Sequence, residues 1–144
     1  MKPVSPKKKL GQHFLNDLNI AKKIADLLDH RPNECVLEIG PGMGVLTQYL
    51  LPKVQQLKMV EIDRESVNYL QRKYPDLKEN IYNEDFLKLD LSNFFTQREF
   101  VVIGNFPYNI SSQIVFKTIE YRKLVPFFCG MFQKEGAQRI CEKP

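Results

Sequence analysis

The spacing of apolar and polar positions predicts short strands alternating with helices. Ile20, Ile24, Leu27 and Leu28 recur at helical spacing, which predicts an amphipathic helix over residues 17–30. Asn16 or Asp17 can cap it, and Arg31-Pro32 ends it. Residues 35–39 place Glu38 inside an apolar run and read as a buried strand. A helix over 45–52 follows and stops at Pro52, then a second strand over 57–62 and a helix over 64–74 with Val67 and Leu70 on one face. A short third strand spans 80–83. A fourth, wholly apolar one spans 100–104, as strands buried on both faces require. The helix over 111–121 should turn Ile114, Val115, Thr118 and Ile119 inward, before a fifth strand over 127–132. From Gln133 the pattern reads as the start of another helix. This order predicts an α/β fold: a mostly parallel, doubly wound sheet with helices on both faces.

Ligands of such sheets lie at the carboxyl ends of the strands, so those ends hold the candidate chemistry. After the first strand comes Gly40-Pro41-Gly42-Met43-Gly44, a turn whose glycines permit positive φ and close approach of a ligand to bare backbone. Alone, this turn fits a nicotinamide dinucleotide, a flavin, S-adenosylmethionine (SAM) or a purely structural role. Glu38 within the preceding apolar run favours SAM, because E-x-G-x-G is the arrangement SAM-dependent methyltransferases carry. Glu61 ends the second strand beside Ile62, where a carboxylate can accept from both ribose hydroxyls of a nucleoside. Asp85 follows the third strand. It can accept from an adenine amino group while the adjacent Phe86 covers the ring, or it can simply cap a helix over 86–91.

Asn105-Phe106-Pro107-Tyr108, after the fourth strand, is the most informative tetrapeptide. The exocyclic amine of a base is a poor nucleophile, because its lone pair is delocalised into the ring. The Asn105 side-chain oxygen and a backbone carbonyl of Phe106–Pro107 could each accept one N–H bond and leave the lone pair aimed at a methyl group. Pro107 fixes its own φ and restricts Phe106, and Tyr108 can stack on a base that has left its helix. The alternative is a proline turn with a buried tyrosine.

Composition narrows the classes. The chain has 144 residues and 43% hydrophobic content, enough for one domain with a core. It carries no apolar run long enough to cross a bilayer and no signal-peptide pattern. Cys35, Cys129 and Cys141 show no metal spacing and read as reduced cysteines of a cytoplasmic protein. The net charge of +4 is concentrated: six lysines and one acid fall in the first 23 residues, an arm that can meet phosphates or remain a solvated tail. His13 and His30 are the only histidines and neither ends a strand, which leaves a dehydrogenase without an acid/base group. No Ser/His/Asp or Cys/His pairing, metal cluster or P-loop lysine is visible.

These motifs together resemble the N-terminal catalytic domain of the small-subunit (16S) ribosomal RNA adenine dimethyltransferases. The residues that carry the likeness are Lys9 to Leu15, Leu37 to Gly44, Val60 to Asp63, Glu84-Asp85, Gly104 to Ser111 and Gln133-Lys134-Glu135. The resemblance implies a Rossmann-like class I SAM-dependent methyltransferase fold, with a basic arm over 1–16 and a SAM-binding domain over 17–144. It implies SAM as methyl donor, no metal, and cofactor contacts at His13, Leu15, Gly40, Gly42, Glu61, Ile62, Asp85, Phe86 and Asn105. Asn105, Phe106, Pro107 and Tyr108 would present the adenine. His13 stands where some members have Asn, and Phe106 replaces a common Leu while leaving the backbone role intact. The implied partner is 16S rRNA in a 30S precursor particle, with no membrane and a monomeric full-length protein. The alternatives are a 23S rRNA adenine methyltransferase of the antibiotic-resistance type and a catalytically inactive RNA-binding relative. Family members continue well past Gln-Lys-Glu. The resemblance therefore implies a shortened chain that lacks the last strands and the C-terminal helical domain, with its fifth strand at an open edge and its activity reduced or lost.

Overall fold

The computed structural model describes residues 18–29, 35–106, 111–132 and 138–142. The basic arm over 1–16, with its His13 and Leu15, lies outside them, as do Pro107 and Tyr108. The described chain runs α1 (Leu18–Asp26), β1 (Cys35–Ile39), α2 (Thr47–Leu50), β2 (Gln56–Val60), α3 (Arg64–Lys73), β3 (Ile81–Tyr82), β4 (Val101–Phe106), α4 (Ser111–Glu120), β5 (Phe127–Phe132) and β6 (Gln138–Glu142), with short 3₁₀ turns at Pro75–Asn80, Phe86–Lys88 and Leu91–Asn93. The strands form one sheet in the order β3-β2-β1-β4-β5-β6. The pairings among β1 to β5 are parallel, and β6 runs antiparallel to β5.

The period-two geometry of a strand sorts the core into two layers. On one face Val36, Met59, Val101, Ile103 and Phe127 pack with Ala21 and Ile24 of α1, Leu28 of the turn after it, Leu50 of α2 and Val67 and Leu70 of α3. On the other, Cys35, Leu37, Ile39, Val102 and Phe106 pack with Ile114 of α4 and with Phe86, Leu91, Phe95 and Phe100 of the connecting segments. All five residues of β1 are buried, as a central parallel strand covered on both sides must be.

Several expectations change. The helix expected over 45–52 contracts to Thr47–Leu50 between turns, and β2 ends at Val60 rather than at 62. Ile119, expected inward on α4, is 41% exposed, while Lys117 is buried. No helix is seen among the described residues after Gln133; Gln138–Glu142 is a strand instead. Nor is β5 an open edge: β6 pairs with it from Phe128↔Glu142 to Phe132↔Gln138. A bare edge would leave a row of unpaired N–H and C=O groups, and the chain's own next segment occupies it.

Candidate active site

Parallel strands bring their carboxyl ends to one rim, and among the described residues Gly40, Gly42, Glu61, Ile62, Asp85 and Asn105 lie there. Gly40, Gly42 and Gly44 all have positive φ, at 66°, 58° and 85°. Gly40 N–H donates to Val60 O at 2.9 Å, extending the β1–β2 ladder, and Gly44 N–H donates to Pro41 O at 2.8 Å, closing the turn into α2. A Cβ at Gly40 would stand 2.8 Å from the backbone oxygen of Asn105. Ile39 pairs with Gly104 in the β1–β4 register, so the next residue on each strand meets across the rim. The glycine turn and the start of the Asn-Phe-Pro-Tyr corner are therefore in backbone contact.

Glu61 is buried beside that turn. One carboxylate oxygen accepts from Gly42 N–H and the other from Asp63 N–H, both at 2.9 Å. Asp63 caps α3 through Ser66 N–H at 3.2 Å and Ser66 O–H at 2.8 Å, which fixes where the chain turns after β2. The Asn83 side chain donates to the carbonyls of Glu61 and Ile62 at 3.0 and 3.1 Å, tying this segment to the end of β3. Ile62 itself is 47% exposed, an apolar side chain left at the rim.

Asp85, half-buried, caps the 3₁₀ turn Phe86–Lys88 by accepting from Leu87 N–H at 3.0 Å. The capping role open in the sequence is thus present. The Phe86 ring is buried in the second core layer, so its backbone is what the loop presents. Asn105 is half-buried at the end of β4, and the fully buried Phe106 ring stacks on Phe128 at 5.0 Å.

Three further residues shape the site and were not singled out by their own pattern. Thr47 donates to Glu38 at 2.6 Å, joining the middle of β1 to the start of α2 across the glycine turn. The second Glu38 oxygen has no hydrogen-bond partner among the described residues. Burial pushes the Glu38 carboxyl up to about 8; the Thr47 hydrogen bond opposes this and the nearby Glu61 charge adds to it. Asn83 is the second, as the brace just described. Lys117 of α4 is the third, with its amine on the carbonyls of Phe86 and Leu89. A polar residue following an apolar strand is the weak signal for Asn83; the partners of Thr47 and Lys117 depend on the tertiary fold.

A five-stranded parallel array with a glycine turn after its first strand and a buried acid after its second is the architecture of the class I SAM-dependent methyltransferases. The chain belongs to the ribosomal RNA adenine dimethylase family, whose model matches residues 4–144. It is 59% identical over 143 residues to ribosomal RNA small subunit methyltransferase A of Flavobacterium johnsoniae, covering 99% of this chain and 55% of that one. It also resembles two solved structures, each at 32% identity over 85% of this chain. They are the 23S rRNA methyltransferase ErmE, with a TM-score of 0.71 over 49% of that chain, and a dimethyladenosine transferase from Plasmodium falciparum, with 0.69 over 44%. The chain spans about half the length of the curated relatives it matches.

Proposed function

We propose that this chain is the SAM-binding catalytic part of an rRNA adenine N6-dimethyltransferase acting on two adjacent adenines near the 3′ end of 16S rRNA. The observation that supports the reading is the close approach of Gly40 to the Asn105 backbone, which sets the glycine turn beside the residue proposed to present the amine.

The residues present fit a nucleoside donor. The buried Glu61 carboxylate, already aimed by Gly42 N–H, can accept from vicinal ribose hydroxyls, and the exposed Ile62 offers an apolar surface to the purine. Asp85 can accept from the purine amine. His13 and Leu15 of the arm would close over the methionine end, and Pro107 and Tyr108 would complete the corner. Asn105 and the carbonyl of the Phe106–Pro107 segment then hold the two N–H bonds of the target amine. Bound SAM would supply the methyl group to this nitrogen, an N–C bond replacing the S–C bond, with S-adenosylhomocysteine as the leaving product and the ammonium proton passing to solvent. A second cycle gives the dimethylated base. Rate enhancement comes from positioning, without a covalent enzyme intermediate or a metal.

The reading places the protein in the cytoplasm, working as a monomer on a 30S precursor particle, with the lysine-rich arm meeting phosphates. The test is methyl transfer in a protein of the relatives' length. Asn105→Ala should lower transfer to 30S precursor particles by at least about 10³-fold while SAM still binds. Unchanged turnover would refute the role of Asn105, and preference for naked 23S RNA would move the substrate to the large subunit.

A further inference from the structure

Helix α4 starts just beyond the asparagine corner, and Lys117 lies on its buried side, 9% exposed. Its amine donates to the carbonyls of Phe86 and Leu89, which bracket the 3₁₀ turn Phe86–Lys88, and sits 5.1 Å from the centre of the Phe86 ring. Burial holds the amine below the ordinary lysine range, while the carboxylates of Asp85, Glu120 and Asp90 oppose that shift. A buried ammonium needs acceptors on its N–H groups, and two backbone carbonyls of one loop supply them here. That loop begins with Asp85, whose carboxylate is fixed by Leu87 N–H inside the same turn.

We propose that Lys117 is a positioning residue for the cofactor site: it ties the Asp85–Leu89 loop to the helix leaving the asparagine corner, and so sets where the Asp85 carboxylate meets a purine amino group. The proposal rests on the reading of Asp85 given above. It makes the spacing between the donor's base and the target amine depend on one side chain that contacts neither.

Calorimetric titration of this chain with S-adenosylhomocysteine and with its inosine counterpart tests it. The inosine form replaces the amino group that Asp85 would accept from by a carbonyl. Lys117→Met should weaken the adenosine ligand about tenfold and the inosine ligand less than about twofold. In an Asp85→Asn background the same substitution should change nothing further. Lys117→Gln keeps an N–H donor group on a shorter, uncharged side chain and should fall between wild type and Lys117→Met, which keeps the test open should the methionine variant not fold. Circular dichroism melting identifies that case. Equal losses on both ligands, or additive effects of the Asp85 and Lys117 substitutions, would reduce Lys117 to a packing residue and overturn the proposal. Failure of the wild-type chain to bind either ligand would overturn the cofactor reading, and the proposal with it.

Discussion

The two faces of the sheet each bury an ionisable side chain whose proton affinity burial shifts, and they treat it differently. On the face covered by α1, α2 and α3, Glu38 is held by a single hydroxyl, and its second oxygen has no hydrogen-bond partner among the described residues. On the face covered by α4, Lys117 meets two carbonyls and the face of a phenylalanine ring. Poor solvation drives the carboxyl toward its neutral form, whereas the amine keeps charge-compatible acceptors even as burial lowers its proton affinity. A buried group can thus be accommodated by supplying partners or by shifting its protonation state. The first route ties a loop in place; the second makes the fold sensitive to pH.

That contrast can be broken by experiment. The largest effect expected is the pH dependence from Glu38. Its folded pKa lies above its unfolded value, so its stabilising contribution is full below about 4.5 and is lost as pH rises toward about 8. Across that window the loss is on the order of 5 kcal/mol. Urea unfolding at pH 5 and pH 8 should show Glu38→Gln gaining on wild type at the higher pH; parallel profiles would mean that Glu38 titrates normally. Next, Lys117→Met should cost about 2–4 kcal/mol, because one buried and one partly buried carbonyl lose their donor. A cost below about 0.5 kcal/mol would show that the carbonyls find water instead. The smallest is Thr47→Val, which removes the one hydroxyl on Glu38. It should cost about 1 kcal/mol near neutral pH and raise the carboxyl pKa further, visible as an upward move of the pH midpoint in the same unfolding series.

The strands and the rim could be read from the sequence because their signals are local. Residues 35–39 and 127–132 form strands with the expected limits, since a short, mainly apolar run between breakers has few other uses. Gly40, Glu61, Asp85 and Asn105 fell at strand ends because parallel topology aligns those ends. What escaped was set by partners distant along the chain. Lys117 looks like a surface residue until the carbonyls of Phe86 and Leu89 are placed beside it, and the periodicity that turned Ile119 inward is insensitive to them. The strand at Gln138–Glu142 was read as helix because a short mixed segment carries either pattern. Pairing along the edge of β5, a feature of the assembled sheet, decides the outcome.

The near-touch between Gly40 and the Asn105 carbonyl has a mechanical consequence. Where two stretches of main chain abut with only hydrogen between them, their separation is fixed by the covalent frame and not by any rotamer. On the proposed reading, the stride a methyl group must cover is gauged at that point. Adding a single carbon at position 40 would act as a spacer, prying donor from acceptor while leaving every reacting group chemically intact.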